Sequence, residues 1–374
     1  MEKTKGIIAG EFVKDLEPRV CSTCLFDSTI AHIHENGQCE YCVLQKDLAS
    51  KSLGSFSEKA AEIANAGRNK KYDCLIGISG GEDSSVMLYL AVMRWKLRPL
   101  VIHFNNGWNA PEATNNIQVL VQKLSVDYIE YKVNHEEYKQ LNRAFVAASV
   151  PDADIPNDIA MAKLMDTAAK QYDIKYILNG HDFRNEGSSP KVWSKIDAKY
   201  IESVYSWYTQ GLKLKNYPLY TFWDQLVAGW KGIKQVRPFH YEAIPRAEIL
   251  SKLRMWGWQD YGSKHCENVY TEFVGNFLLP VKFGIDKRRT YLSARMREGT
   301  ITREFAHEML AMSVTFDLTK LGSEQEMLLT LARRLPPVSR DLYPAYNFRK
   351  YKFFVWVLSK LGVVPHTFYV KYAR

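Results

Sequence analysis

The stretch LIGISGGEDSSVML, residues 75–88, decides the fold of this 374-residue chain. An apolar run leads into two adjacent glycines, two acids and two serines, and a second apolar run follows. This order predicts a buried strand, a tight turn and the start of a helix. The backbone N–H groups and the helix dipole at such a turn favour an anion, so we expect the loop to hold phosphate.

The candidate phosphate ligands are the loop's glycines, its serines and its second acid: Ser79, Gly80, Gly81, Asp83, Ser84 and Ser85. The glycines let the backbone approach a phosphate closely, and the hydroxyls are donors. Asp83 is suited either to hold magnesium or to cap the helix. The loop matches neither the GxxxxGK[ST] nor the GxGxxG nucleotide pattern. A capped helix start after a glycine turn is the structural alternative.

The residues around this loop alternate between strand and helix patterns. Strands are predicted at 72–78, 99–104, 126–132 and 175–178, and helices at 57–68, 84–95, 112–124, 135–147 and 158–170. Short apolar strands between helices predict an α/β fold with a parallel sheet covered on both faces. Ligands of such sheets bind at the carboxyl ends of the strands, where SGGEDSS and NGHDFRNEG both fall.

Three units are expected along the chain. Residues 1–50 contain four of the six cysteines, residues 51–190 carry the strand and helix alternation, and residues 191–374 are aromatic and then helical in pattern. We predict a zinc ribbon, an ATP-binding domain and a mostly helical substrate-binding region, in that order.

The four N-terminal cysteines form two CxxC pairs, Cys21 with Cys24 and Cys39 with Cys42. Two such pairs, fourteen residues apart, are typical of four thiolates around one tetrahedral zinc ion. Four protein ligands leave no open position, so the zinc is expected to be structural. Disulfides and an iron–sulfur centre are the alternatives. Cys74 and Cys266 are expected to be packed and unreactive.

The charge and hydropathy of the chain limit its partners. A net charge of +9 favours anionic partners without choosing among nucleotides, nucleic acid and membrane surfaces. No apolar run approaches the length of a membrane span, and the first residues show no secretory signal. We therefore expect a cytoplasmic protein with no transmembrane segment.

SGGEDS at residues 79–84 resembles the SGGxDS signature of the PP-loop ATP pyrophosphatases. The resemblance implies cleavage of ATP between its α and β phosphates with magnesium present. Glu82 stands at the variable position, where relatives commonly have lysine. The segment 103–117 resembles the family's region beside adenosine, which implies an ATP contact for Asn105. Gly180 and His181 resemble the second loop, which faces the nucleotide across the site.

Residues 261–304, which contain KHCEN, LPVKFGIDKRR and GTITRE, resemble the N-acetyl sugar amidotransferases of bacterial surface-polysaccharide synthesis. DIPNDIA (154–160) and NGHDFRNEGSSP (179–190) resemble the branch that acts on UDP-diacetamido-uronic acids for lipopolysaccharide O-antigen. The resemblance implies that ATP adenylates a sugar N-acetyl oxygen and that ammonia displaces AMP to give an acetamidino group. Neither YDCLIG nor KHCENV looks like a glutaminase nucleophile, so the ammonia is expected from partner glutaminase and barrel-type subunits.

Candidate residues outside the glycine loop follow from this resemblance. Lys264, His265 and Glu186 are expected to be catalytic, and a surface turn or ordinary loop contacts are the alternatives. The expected sugar-nucleotide ligands are acids, amides and bases after position 266: Glu267, Asn268, Lys282, Lys287, Arg288 and Arg289. A solvated basic face is the alternative for the last four.

A tRNA-thiolating PP-loop enzyme is the competing interpretation. Zinc ribbons precede PP-loop domains in that class, and the positive charge suits RNA. Two observations favour the sugar: the ATP-binding part has no further cysteine cluster, and the basic residues do not form one stripe. We therefore expect no nucleic acid partner.

Overall fold

The computed structural model describes residues 18–51, 54–262 and 264–360, together with residues 369, 372 and 373. The expectations for residues 1–17 of the N-terminal unit, and for most of the tail beyond residue 360, lie outside the described residues. No helix in the described part of the chain combines the length and apolar character needed to cross a membrane.

A five-stranded parallel sheet forms the centre of the fold. Its strands are β1 (Cys74–Gly77), β2 (Pro99–Asn105), β3 (Asp127–Lys132), β4 (Tyr176–Leu178) and β5 (Lys234–Val236). Their order is β3-β2-β1-β4-β5, and every neighbouring pair is parallel. The predicted α/β fold with a parallel sheet is confirmed.

Helices lie before and between the first four strands. They are α1 (Glu40–Ser50), α2 (Ser57–Ala66), α3 (Glu82–Tyr89), α4 (Pro111–Leu124), α5 (His135–Ala148) and α6 (Ile155–Gln171). Leu75 and Ile76 of β1 belong to apolar clusters on opposite faces of the sheet. Both side chains are fully buried, as expected of a strand covered on two sides.

The chain beyond β4 is mostly helical, as predicted. It contains α7 (Ala198–Tyr208), α8 (Phe222–Trp230), α9 (Ala247–Trp256), α10 (Val269–Phe273), α11 (Arg288–Arg297), α12 (Arg303–Ala311), α13 (Gln325–Arg334) and α14 (Lys352–Lys360). The strand β5 was not predicted, because three residues reading KQV carry almost no periodic signal. Since β5 lies beyond residue 190, the sheet takes one strand from the predicted C-terminal region.

Two π-helical segments continue helices of this fold. Leu90–Arg94 extends α3, and Val274–Phe283 extends α10 with Pro280 inside it. The predicted helix at 84–95 therefore begins earlier, at Glu82, and its last turn is wider than an α-helix. Its early start brings the first turn of α3 directly to the glycines of the loop.

Candidate functional site

The glycine loop turns sharply between β1 and α3. Gly80 has φ +80, and a Cβ on it would collide with the carbonyl oxygen of Ala113 in α4. Only glycine combines this backbone conformation with so close an approach. Gly81 is the N-cap residue of α3 and supplies no side-chain cap. The first turn of α3 therefore has no N-cap side chain, and its Gly81 and Glu82 amides donate to Ser79 Oγ and Tyr261 Oη instead.

Serines hold the loop in this shape. Ser79 Oγ and Ser84 Oγ lie 3.2 Å apart, and the amide of Gly81 donates to Ser79 Oγ at 3.2 Å. The predicted ligand Ser85 points elsewhere, since its fully buried hydroxyl accepts a hydrogen bond from Trp258 Nε1 at 3.1 Å. Ser85 lies on the buried face of α3, and this helix packs on α9.

A cleft of about 320 Å³ opens over the loop. Its walls come from the glycine loop, the loop after β4, and the segment before α10: Ser79, Gly81, Glu82, Asp83, Ser84, Gly180, Glu186, Trp258, Asp260, Tyr261, Gly262, Lys264, His265 and Glu267. The cleft thus gathers most of the residues predicted to bind ATP or to catalyse. It lies beyond the carboxyl ends of β1 and β4, where an α/β sheet binds its ligands.

The segment before α10 closes the cleft over the loop. Tyr261 Oη accepts a hydrogen bond from the amide of Glu82 at 3.1 Å, and Ser79 Oγ lies 3.5 Å from Glu267 Oε1. The Glu267 carbonyl also accepts the amide of Ala110 at 3.0 Å, which fixes this segment to the loop after β2. Glu267 Oε2 is buried without a hydrogen-bond partner among the described residues.

Two cations meet the acid of the glycine loop. Lys264 Nζ lies 3.6 Å from Asp83 Oδ2 and has no hydrogen-bond partner among the described residues. Burial lowers the Lys264 pKa, whereas the charge of Glu186 raises it. Arg246 also contacts Asp83, and it reaches Glu82 at 3.2 Å. Arg246 was missed by sequence reasoning because it follows no glycine loop and stands alone in an irregular segment.

His181 and Glu186 form a pair at the second loop. His181 Nδ1 lies 2.5 Å from Glu186 Oε2, which also accepts the amide of Asp182 at 3.2 Å. Burial alone would raise the Glu186 pKa, but the hydrogen bond and the charges of His181, Lys264 and His265 lower it to about 2. Glu186 is therefore an ionised carboxylate in the cleft at neutral pH.

Asp182 brings a further carboxylate to this loop. Its Oδ2 accepts from Asn185 Nδ2 at 2.6 Å and from Arg246 Nη2 at 3.0 Å. Burial raises the Asp182 pKa, and the hydrogen bonds from Asn185 and from the Arg184 amide oppose the rise. Asp83 and Asp182 thus converge on one cation from two different loops.

Two predicted amides have local structural contacts. Asn105, expected at the adenosine, donates to Glu130 Oε1 at 2.7 Å and accepts the amide of Gly107 at 3.0 Å. Asn268, expected at the sugar, is the N-cap residue of α10 and accepts the amide of Thr271 at 3.0 Å. Neither residue is among those that line the cleft.

The predicted basic sugar ligands are separated by their own contacts. Lys282 donates to the Ala332 carbonyl at 2.6 Å. This carbonyl lies in the last turn of α13, where it has no helical N–H partner. Arg288 pairs with Asp286 and donates to carbonyls at the end of α12. Arg289 donates to the Leu25 carbonyl and pairs with Asp27 at 2.7 Å, so it joins the cysteine unit to α11. These three side chains stabilise helix ends and unit contacts rather than reaching the cleft.

Lys287 faces a second group of charges at the start of α6. Thr271 Oγ1 donates to Asp154 Oδ1 at 3.0 Å, and Asp158 follows one helical turn later. Asp158 stays open to solvent, yet the surrounding protein and the Asp154 charge raise its pKa to about 7, opposed by Lys287. The sequence identified this segment as DIPNDIA without assigning it a role.

The four N-terminal cysteines are brought together and are buried. Their sulfur atoms all lie within 4.8 Å of one another, as a metal-binding set requires. Arg297 of α11 points its guanidinium at the sulfurs, with Nε 3.3 Å from Cys42 Sγ and Nη2 3.2 Å from Cys24 Sγ. Thiolate ligands fit zinc and iron–sulfur centres, and a cation beside them offsets their negative charge. The arrangement is that of a metal site.

The remaining two cysteines are packed in the interior. Cys74 is fully buried on β1, and burial raises the pKa of its thiol. Cys266 is 7% exposed, and its sulfur lies 3.9 Å from the Lys264 carbonyl. Burial of this kind disfavours the thiolate that a nucleophilic cysteine needs.

Two known families match two different parts of the chain, and both parts line the cleft. Residues 267–330 match the C-terminal domain of LPS biosynthesis protein WbpG-like proteins. Residues 73–184, which contain the glycine loop, match the phosphoadenosine phosphosulfate reductase domain, a member of the PP-loop superfamily. The WbpG-like match begins at Glu267, whose side chain lies 3.5 Å from Ser79 Oγ across the cleft.

Individual relatives are more distant. An uncharacterized protein of Methanocaldococcus jannaschii, MJ1599, is 26% identical over 112 residues, which are 30% of this chain and 39% of that protein. The U34-tRNA thiolase NcsA from Methanococcus maripaludis is 14% identical, with a TM-score of 0.33 over 83% of this chain and 94% of its own. NMN synthetase from Francisella tularensis is 16% identical, with a TM-score of 0.28 over 57% of this chain and 92% of its own.

Proposed function

We propose that the chain is an ATP-dependent amidotransferase of the WbpG-like lipopolysaccharide-biosynthesis family within the PP-loop superfamily, because residues 267–330 match the WbpG-like C-terminal domain and residues 73–184 match a PP-loop domain. It converts one N-acetyl group of a UDP-diacetamido-uronic acid to an acetamidino group, with ATP split to AMP and pyrophosphate. The reaction serves O-antigen or related surface-polysaccharide synthesis in the cytoplasm, where ATP and nucleotide sugars are available.

One observation carries this proposal: the WbpG-like part of the chain enters the ATP cleft. Glu267, its first matched residue, lies 3.5 Å from Ser79 of the glycine loop. Lys264 and His265, just before it, line the same cleft. This contact supports the proposal that the WbpG-like part presents an acceptor to the α-phosphate of ATP.

The first step activates a poor electrophile. The amide oxygen of the acetamido group attacks the α-phosphorus of ATP, pyrophosphate leaves, and the amide nitrogen loses its proton to solvent to give an O-adenylated imidate. Lys264 and the backbone donors at the start of α3 offset the charge that develops on the phosphates. Glu267 Oε2, which has no partner among the described residues, is available to an N–H or O–H group of the sugar.

Magnesium fits the acids of the cleft. Asp83 and Asp182 come from two loops and already share one cation, Arg246. Hard carboxylate oxygens are the ligands that magnesium prefers, usually one or two of them together with substrate phosphates. When bound, magnesium supplies charge stabilisation to the phosphates of ATP. Asp83 and Asp182 are the residues that would hold it.

The second step forms the carbon–nitrogen bond. Ammonia attacks the activated carbon, AMP departs with the former amide oxygen, and the nitrogen loses a proton to give the neutral amidine. The His181–Glu186 pair is a suitable acceptor, because Glu186 is ionised and in contact with the imidazole. A carboxylate beside an imidazole stabilises the imidazolium that results.

The ammonia comes from a separate glutaminase with a barrel-type delivering subunit in this proposal. A glutaminase needs an activated cysteine beside a base. Among the described cysteines, four are gathered at the metal site, and Cys74 and Cys266 are buried. This distribution supports an external source. If the isolated chain used glutamine as readily as ammonium, this part of the proposal would fail.

The four cysteines hold structural zinc in this proposal. Two CxxC pairs complete a tetrahedral shell, and no ligand position is left for a substrate. The cluster docks on α11 through Arg297, so the metal fixes the position of the WbpG-like part. An iron–sulfur centre at the same cysteines would show visible absorption and bound iron instead of zinc.

The deciding experiment measures pyrophosphate release from the purified chain with MgATP and ammonium. A UDP-diacetamido-uronic acid is compared with bulk tRNA as acceptor. Release with the sugar alone, and a product in which NH has replaced O, is the expected result. Release with tRNA alone would overturn the sugar assignment and place the chain among tRNA-modifying PP-loop enzymes. Salt-sensitive tRNA binding would accompany that outcome.

A further inference from the structure

A buried arginine joins the two loops that hold the acids of the cleft. Arg246 is the N-cap residue of α9, and its side chain is 10% exposed. Its Nη1 donates to the Asp83 carboxylate and lies 3.2 Å from Glu82 Oε1, while Nη2 lies 3.0 Å from Asp182 Oδ2. One guanidinium thus contacts acids from the loop after β1 and from the loop after β4.

The position of Arg246 leaves part of its hydrogen-bonding capacity unused. Its guanidinium carbon lies 4.9 Å from the centroid of the Phe239 ring, which supports one face of the group. The Nε atom is buried and has no hydrogen-bond partner among the described residues. A buried donor without an acceptor is costly, so its persistence points to an acceptor that arrives with a ligand.

The charges around Arg246 suit an exchange of cations. The carboxylates of Glu82, Asp83 and Asp182 face the two cations Arg246 and Lys264, which leaves one negative charge in excess. A divalent cation bound by Asp83 and Asp182 would take the position that the guanidinium now occupies. Arg246 already contacts Glu82 and Asp83 in the first turn of α3. A displaced guanidinium would therefore remain beside this turn, where the phosphates are expected.

We propose that Arg246 holds Asp83 and Asp182 together in the nucleotide-free protein and transfers to the pyrophosphate oxygens of ATP when magnesium binds the two acids. A planar guanidinium matches phosphate oxygens with paired donors. In this position Arg246 stabilises the charge of the departing pyrophosphate, and is therefore a catalytic residue. The inference rests on the proposed use of ATP at this site, and it does not depend on which acceptor is adenylated.

The test uses the full chain with the substitution Arg246→Gln and three ligands that need no sugar: manganese, magnesium pyrophosphate and MgATP. Manganese binding without nucleotide is followed by electron paramagnetic resonance, and binding of magnesium pyrophosphate and of MgATP by calorimetry. We expect manganese to bind more tightly in the variant, because its carboxylates lose a competing cation. Pyrophosphate and ATP are expected to bind roughly tenfold to a hundredfold more weakly, because a charged hydrogen-bond donor is lost.

These opposite changes separate the proposal from a fixed structural ion pair. A structural Arg246 predicts that its loss weakens both ligands together, or leaves the phosphate ligands unchanged, and either result overturns the proposal. Arg246→Lys keeps the charge and loses the paired donors, and it is expected to lie between the wild type and Arg246→Gln for pyrophosphate. Should Arg246→Gln fail to fold, unchanged pyrophosphate binding by Arg246→Lys contradicts the inference.

The control is Arg94→Gln, which removes an exposed arginine that pairs with Glu242 at 3.0 Å. It should leave manganese and pyrophosphate binding unchanged. The wild-type protein distinguishes the two levels of the argument. Failure of the wild type to bind ATP or pyrophosphate would reject the proposed function itself, whereas equal binding by wild type and Arg246→Gln rejects only the role of Arg246.

Discussion

Ser79 Oγ and Glu267 Oε1 lie 3.5 Å apart although the two residues are separated by 188 positions in the sequence. Ser79 begins the glycine loop, and Glu267 begins the match to the WbpG-like C-terminal domain. The contact makes the ATP loop and the family-specific part of the chain walls of one cleft. In the proposed reaction, this contact sets the α-phosphate of ATP beside the acceptor that the C-terminal part is proposed to bind.

Replacing Glu267 by glutamine tests this wall. The amide keeps the shape of the side chain and removes its charge, while the Glu267 carbonyl still accepts the amide of Ala110. We expect kcat/KM for the sugar to fall roughly tenfold or more, as for loss of one charged hydrogen bond, with little change in the KM for ATP. Steady-state pyrophosphate release at varied sugar and varied ATP measures both.

Glu272→Gln is the matched control for Glu267→Gln. Glu272 lies on α10, within the same matched domain, and pairs with Lys320 at 2.9 Å. It is not among the residues that line the cleft. Its substitution should affect stability more than the kinetic constants. Equal losses of kcat/KM in the two variants would contradict a direct contact between Glu267 and the sugar.

Gly80→Ala tests the shape of the loop. At φ +80 an L-residue costs roughly 1–2 kcal/mol, and here the new methyl group also collides with Ala113. We expect a lower melting temperature and loss of ATP binding, because the loop must shift away from α4. Thermal unfolding and calorimetry with MgATP measure the two effects.

Gly299→Ala separates backbone strain from the collision in that experiment. Gly299 has φ +70, and a Cβ on it would meet nothing within 4 Å. It should show the strain penalty alone and keep ATP binding. A Gly80→Ala variant that behaved like Gly299→Ala would contradict the close approach of the loop to α4.

The sequence predicted the parts of the site that are continuous in the chain. The glycine loop, the second loop at Gly180 and the CxxC pairs each combine a local pattern with a chemical requirement. Four strands and their intervening helices were predicted to within a few residues, and three of these strands, β1, β2 and β4, are buried apolar runs, whereas β3 is largely exposed. The strand β5 was missed since it is three residues long and mostly exposed.

Whether a predicted basic ligand reaches the cleft depends on long-range packing, which the sequence alone does not reveal. LPVKFGIDKRR presents four bases, but Arg288 and Arg289 pair with Asp286 and Asp27, and Lys282 reaches a carbonyl of α13. Composition cannot distinguish a base that binds substrate from one that holds a helix end. Arg246 shows the converse, because its importance appears only when α9 brings it to Asp83.

Cys24→Ser tests the metal site. Removing one thiolate opens the four-ligand shell, so we expect the bound metal, measured by mass spectrometry of the purified protein, to fall below one ion per chain. The free energy of unfolding should also fall, because metal binding is coupled to folding of such a unit. Cys266→Ala, which changes a buried thiol outside the cluster, should keep the full metal content.

Asp83→Ala separates the metal site from the ATP site. Asp83 faces Lys264 and Arg246 in the cleft, whereas the cysteines belong to a different unit of the chain. We expect the rate of pyrophosphate release to fall roughly a hundredfold, as when a charged group that stabilises a transferring phosphate is removed. The cysteine-bound metal should remain unchanged. Full activity in Asp83→Ala would exclude the glycine loop as the site of ATP cleavage.

Asp158→Asn gives a pH-dependent test of the two acids at the start of α6. The folded protein raises the Asp158 pKa from 3.8 to about 7 through its surroundings and the Asp154 charge. Below the pKa that Asp158 has in the unfolded chain, its carboxyl group is neutral in both states and does not change the free energy of unfolding. Between these two values only the unfolded chain releases the proton, so the Asp158 contribution lowers the free energy of unfolding as pH rises.

The amide of Asp158→Asn stays neutral at every pH. We therefore expect the variant to be more stable than the wild type by about 1 kcal/mol at pH 8, allowing for solvent screening, and equally stable near pH 4. Denaturant unfolding across this range measures the difference. Asp47→Asn, on an exposed carboxylate paired with Lys51, is the control and should show no such gain. A gain that grew toward low pH would contradict the raised pKa, because it would require Asp158 to be charged preferentially in the folded protein.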